Sequence, residues 1–221
     1  MAKPNSSKVT LVLSVLISLV LGIVVGSFIP KIETAIQEKK EAKLLAQKQA
    51  EAEEQLKQDR VLAKDEFTIK MPAGWAEVPA MPSTSATVMF VKEVVTNETL
   101  QKINFKSYYA VTYDTLNKRG LAGYVTYLKG TLQKLLLGIR FISDKTEKIG
   151  GLEARVMEAE VTQKGADFKV LIVVIKGTGE DVWTISFNTG KDTWDTYKDA
   201  FYSIARGFQL KTSEKTPDAK K

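Results

Sequence analysis

The sequence predicts an α+β domain, an antiparallel sheet flanked by helices, carried behind one transmembrane helix and a charged helical stalk. Three observations predict it. Residues 9–29 hold no charged side chain. Lys31 to Lys64 is rich in Ala, Glu, Lys, Gln and Leu and contains no Gly or Pro. Beyond that, runs with alternating apolar residues are separated by glycine turns, and two stretches switch to apolar steps of three and four. The resulting segments are a short basic tail (1–8), an anchor (9–29), a stalk (30–65), the α+β domain (66–210) and a disordered tail (211–221).

The anchor, VTLVLSVLISLVLGIVVGSFI, is 21 residues long. As a helix it spans about 32 Å, close to the ~30 Å hydrocarbon core of a bilayer. The rival reading is a cleaved signal peptide, whose apolar region is shorter and ends in small-x-small; only a weak Val24-x-Gly26 is present here. Lys3 and Lys8 favour a cytoplasmic tail, whereas Lys31, Lys39, Lys40 and Lys43 on the other flank compete with them. A single anchor ahead of a large domain resembles a signal-anchor and leads to a single-pass membrane protein with its globular domain outside the cytoplasm. Ser14, Ser18, Gly22 and Gly26 recur every four residues. They form either a small-residue ridge for weak self-association through the anchor, or only the ordinary composition of membrane helices.

The stalk consists of strong helix formers, with Glu53 and Lys57 in the favourable i,i+4 order. Its heptad seam (Ile32, Ala35, Lys39, Ala42, Ala46, Gln49, Glu53, Leu56) is Ala or polar at six of eight positions, which argues against a coiled coil. It reads as a spacer helix or as a partly frayed charged linker.

In the domain, Phe67, Ile69 and Met71 alternate before Pro72-Ala73-Gly74-Trp75 turns the chain. Thr87–Val95 and Phe105–Asp114 read as strands. A helix follows over Leu121–Leu137, with Leu121, Tyr124, Leu128, Leu132 and Leu135 on one face and Asn117 as N-cap. Ile139–Ile149, Leu152–Thr162, Phe168–Lys176 and Val182–Asn188 are strands joined by glycine turns. Val170–Ile175 is apolar on both faces, as in a strand covered on both sides. A last helix spans Thr193–Gly207, with Asp192 as N-cap. The order β, β, β, α, β, β, β, β, α with short turns implies antiparallel neighbours.

Composition excludes several activities. The chain has no Cys and no His. Thiol nucleophiles, Ser-His-Asp triads, disulfides, zinc fingers and iron–sulfur clusters are therefore ruled out. The chain carries 32 Lys and Arg against 26 Asp and Glu. Split by segment, no part is a strong basic patch, so no nucleic-acid partner is expected.

Four constellations each admit two readings. Glu158 and Glu160 share a strand face, a pairing that carboxylate-based hydrolysis requires and a solvated strand also produces. Asp192, Asp195 and Asp199 surround a helix start, as cation ligands or as dipole-matching acids. Gly177-Thr178-Gly179 resembles part of a phosphate loop but lacks the GK[ST] that follows in one, and a hairpin turn explains it. Tyr108, Tyr124, Tyr127 and Trp183 form either an aromatic contact patch or core.

Three motifs carry a resemblance. They are Phe67-Thr68-Ile69-Lys70-Met71-Pro72-Ala73-Gly74-Trp75, then Ile149-Gly150-Gly151-Leu152-Glu153-Ala154, then Trp194, Tyr197, Phe201, Ile204 and Phe208. Their order and spacing over residues 66–210 resemble the PsbP-like family. That family is named for the extrinsic subunit of photosystem II and includes a Ran-binding import factor and bacterial envelope lipoproteins. The resemblance implies a curved antiparallel sheet between helices and a binding or assembly role rather than catalysis. It transfers no ligand: metal sites of plant members use His in part, which this chain lacks. The expectation is a membrane-tethered, non-catalytic binding or assembly module of the cell envelope with a protein partner. No catalytic residue, cofactor or metal ligand is assigned. The alternative is an envelope hydrolase using paired carboxylates.

Overall fold

The computed structural model describes residues 43–48, 58–78, 87–91 and 97–211. The expected anchor, most of the stalk and the tail beyond Lys211 lie outside these residues. Among the described residues, no helix is long and apolar enough to cross a membrane.

Residues 43–48 are helical. The helical reading of the stalk fails at its end, where Arg60–Ala63 forms strand β1. The strand β2 (Phe67–Met71) pairs with it antiparallel and turns Phe67, Ile69 and Met71 into the core. The predicted turn follows: the Trp75 N–H donates to the Pro72 carbonyl (3.1 Å), and Gly74 at φ +84° occupies the third position of a type II turn, which favours glycine. Strands β3 (Trp75–Val78), β4 (Thr87–Val91) and β5 (Tyr108–Thr115) come next. Between β4 and β5 lies helix α1 (Glu98–Lys102), capped by Asn97, whose side chain accepts from the Leu100 N–H. Helix α2 spans Gly120–Leu135. Strands β6 (Arg140–Ile149), β7 (Leu152–Gln163), β8 (Ala166–Lys176) and β9 (Asp181–Gly190) form an antiparallel run. A 3₁₀ turn, Lys191–Thr193, leads into α3 (Trp194–Arg206), and β10 (Gln209–Leu210) returns to β2.

Among the described residues, ten strands make two sheets: β1-β2-β10, and β3-β4-β5-β9-β8-β7-β6. Each sheet pairing is antiparallel. The α+β class with helices on an antiparallel sheet therefore holds. The predicted order missed β1, β3, β10 and α1, each of two to five residues and too short for a periodic pattern to register. On β8, Val170, Ile172 and Val174 enter one core with α2, while Leu171, Val173 and Ile175 enter a second core with α3 and the small sheet. The strand read as covered on both sides is thus covered on both sides.

Both predicted N-caps are corrected. Asn117 stands at φ +50° and donates to the Thr115 carbonyl, and the N-cap position of α2 is Arg119, which makes no side-chain cap. Asp192 lies in the 3₁₀ turn. The chain there is held by hydroxyls instead, Ser107 to Thr189 and Thr189 to Thr193 (2.7 Å each), with Thr193 donating to the Gly190 carbonyl.

Candidate functional site

Helix α3 buries Trp194, Phe201 and Ile204. Lys198, Tyr202 and Arg206, four apart, form a neighbouring ridge on the same helix. That ridge with the adjacent Asp199, Lys70 of β2, Lys145 and Glu147 of β6 and Glu158 of β7 line an open cleft of about 670 Å³. Lys145 and Glu147 share a face because strand side chains repeat every two residues.

Two of the three acids in the cleft, Glu147 and Glu158, are engaged; the third, Asp199 of α3, is exposed and makes no ion pair among the described residues. Glu158 accepts from the Tyr202 hydroxyl (2.7 Å) and pairs with Lys169 (3.0 Å), whose ammonium also lies 4.4 Å from the Trp194 ring centroid. Burial works against ionisation of Glu158, but the Tyr202 hydrogen bond and the hydrogen bond and charge of Lys169 outweigh it and hold the carboxyl below its usual range. Burial, then the bond to Glu158, pushes the Tyr202 phenol well above its ordinary value. Neither group is placed to exchange a proton near neutral pH. Arg206 reaches Glu147 at 3.5 Å and lies over the Tyr202 ring. Lys70, Lys145 and Lys198 are exposed and make no ion pair among the described residues. The cleft is therefore a surface of available cations in which Glu147 and Glu158 are neutralised and Asp199 alone keeps a free negative charge among the described lining residues.

Glu158 and Glu160 do share the α3 side of β7, but each answers to its own cations. Glu160 binds Lys191 (3.1 Å) and Arg140 (2.7 Å), and these contacts hold it below the usual carboxylate range. A hydrolytic pair needs one carboxyl raised enough to donate a proton, and both are lowered here. Asp192, Asp195 and Asp199 are exposed, and among the described residues no three acidic side chains converge as metal ligands. Gly177-Thr178-Gly179 is a hairpin turn closed by Gly177 N–H to the Asp181 carbonyl (2.8 Å).

Tyr108 and Tyr124 are buried in the α2 core and Trp183 in the α3 core. Tyr127 is half-buried beneath the Arg119 guanidinium. These aromatic residues form no common patch. Ser14, Ser18, Gly22 and Gly26 lie outside the described residues. The lining residues Lys70, Lys145, Lys198, Tyr202 and Arg206 were not singled out in the sequence. The four-residue step on α3 was visible there, but not the strand edge it overhangs.

No protein-family model matches the chain, and no curated protein does. Solved structures do resemble it. Cyanobacterial PsbP (CyanoP) from Synechocystis sp. PCC 6803 has 17% identity and a TM-score of 0.52, the match covering 70% of this chain and 94% of that one. LpqN, involved in cell envelope biogenesis of Mycobacterium tuberculosis, has 13% identity and a TM-score of 0.52, covering 69% and 90%. A variant of the protein Mog1 has 13% identity and a TM-score of 0.50, covering 69% and 95%. At such identities the likeness is one of fold: with its antiparallel sheet held between α2 and α3, the chain has the PsbP-like fold.

Proposed function

We propose that the chain is a membrane-tethered, non-catalytic binding or assembly module of the cell envelope that docks a protein partner in the cleft beside α3. One observation carries the reading: the cleft is open, two of its three acids are paired, and Lys70, Lys145 and Lys198 remain available. A surface of that kind recognises an acidic segment and has no group poised for acid–base chemistry. The fold likeness to LpqN, described as involved in cell envelope biogenesis, supports the envelope setting. Residues 9–29 supply the tether, place the domain outside the cytoplasm, and add weak self-association through Ser14, Ser18, Gly22 and Gly26.

A photo-crosslinking residue at Ser203, on the cleft rim, tests the reading in cells making the full chain. A discrete adduct is expected, absent in the Lys145→Glu/Lys198→Glu variant and absent when the probe sits at Asp167 on β8. No adduct at Ser203, or the same adduct at both positions, would overturn it.

A further inference from the structure

Between Asp114 and Asp144 the chain runs 29 residues with five cations, Lys118, Arg119, Lys129, Lys134 and Arg140, and no acid. This stretch is α2 with the turns at both its ends. Two of the cations are engaged, Lys129 by Asp144 (3.1 Å) and Arg140 by Glu160 (2.7 Å). Lys118, Arg119 and Lys134 are exposed and make no ion pair among the described residues.

The far end of α2 carries a second feature. The Ile139 N–H donates to the Leu136 carbonyl (3.0 Å), and Gly138 stands at φ +82°. This is a type II turn with Leu137 at its first corner. Leu136 and Ile139 are buried and clamp the turn to the core, while Leu137 is 81% exposed. Leu135, in the last turn of α2, and Ile142, on β6, are also exposed. The fold thus holds a leucine out in water on a fixed corner, beside a helix whose own charges are all positive.

The rest of the outer face of α2 says what meets it. Its exposed positions are Gly120, Ala122, Thr126, Gln133, Lys134 and Leu135, small or flexible side chains with no rigid aromatic knob to key into a pocket. Small or flexible side chains, spread cations and an apolar end led by Leu137 suit a flat, negatively charged, partly apolar surface. We propose that the outer face of α2 and the Leu137 corner rest on a bilayer bearing anionic head groups. This contact belongs to the domain itself and depends on neither the N-terminal tether nor the cleft.

The absence of native cysteine makes a site-specific probe clean. An environment-sensitive fluorophore is attached to Leu137→Cys, or to Val61→Cys on β1 beyond the opposite face, in the full chain. Each is mixed with vesicles of phosphatidylcholine alone or with phosphatidylglycerol added. The label at 137 should shift to the blue and be quenched by spin-labelled lipid with the anionic vesicles only, and the label at 61 should not. The Lys118→Glu/Arg119→Glu/Lys134→Glu variant should weaken this contact by at least about tenfold. On the parent, ~0.5 M salt should do the same, whether or not that variant folds. Unchanged emission at 137, equal shifts at both labels, or shifts indifferent to salt would overturn the proposal. A shift without vesicles that grows with protein concentration would also overturn it, since a second copy then covers the corner. Resistance of the chain to carbonate extraction reads the tether separately, so the two ideas fail independently.

Discussion

Phe201 is the test of how the α3 core is built. Its side chain is fully buried, and its ring centroid lies 5.0 Å from Phe187, 5.9 Å from Tyr197, 6.0 Å from Trp75 and 6.1 Å from Trp194. Phe187 belongs to β9, Trp75 to β3, and Tyr197 and Trp194 to α3 itself, so the rings are fixed by three separate parts of the backbone. Phe201→Ala removes the ring they share, and they cannot move together to refill the space. The cost should fall at about 3–5 kcal/mol, the range for a phenylalanine lost from a core that does not collapse. For a folded region of this size, each kcal/mol lowers Tm by roughly 2–4 °C, so a drop of about 6–20 °C is expected. Urea unfolding read by tryptophan emission is well suited, because Trp75 and Trp194 border the cavity. The midpoint should fall with an unchanged slope. A variant melting within about 2 °C of the parent, below the smallest shift these magnitudes allow, would show that the ring is not a shared keystone.

Three further outcomes follow from named contacts. A chain beginning at Asp65 should be about 2–3 kcal/mol less stable than one beginning at Asp59, because it loses β1, the packing of Leu62 and the Arg60 bond to the Trp75 carbonyl; equal denaturation midpoints would return the domain boundary to Glu66. Glu158→Gln alone should cost about 1–3 kcal/mol by leaving Lys169 under Trp194 without its counter-charge, and Glu158→Gln/Lys169→Met should cost less than the sum of the single changes; strict additivity in the cycle would mean that the pair is not coupled. Burial raises Tyr108, Tyr109, Tyr124 and Tyr202 in the folded chain, so their contribution is complete below the unfolded value near pH 10 and is lost as pH rises toward the folded values. Asp144, Glu158 and Glu160 are lowered, so theirs is complete above about pH 4–5 and lost as pH falls further. Tyrosinate absorbance should therefore rise together with the loss of circular dichroism, and a large rise at pH 10 with an intact spectrum would contradict that placement.

The long elements were legible because their periods are forced by burial. The steps of α3 and the doubly apolar β8 could serve only as a buried stripe and a buried strand. The caps were misread because a cap is a local competition. Asn117 was free to take a left-handed turn, and three hydroxyls from β9, the loop before β5 and the turn itself held the start of α3. Short strands such as β1 and β10 exist only because β2 offers them an edge, so their reason lies in the partner and not in their own residues. The cleft was hidden for a related cause: its residues come from β2, β6, β7 and α3, and no sequence spacing joins Lys70 to Arg206.

The central sheet gives these surfaces their separation. Strand β8 sends alternate side chains into two cores, so α2 and α3 lie on opposite faces with a layer of close-packed side chains against each. Close packing resists small shifts, and no polar chain among the described residues crosses the sheet from Asp144, Lys129 and Arg155 on the α2 side to Glu158, Lys169 and Tyr202 on the α3 side. A domain built this way can present cations to a lipid surface on one face and an open cleft on the other with little coupling between them. Charge reversals at Lys118, Arg119 and Lys134 should then leave the Ser203 adduct unchanged, while Lys145→Glu/Lys198→Glu removes the adduct and spares the response at Leu137. If either set of substitutions altered both readouts, the sheet would be transmitting between its faces, and the two surfaces would have to be understood as one.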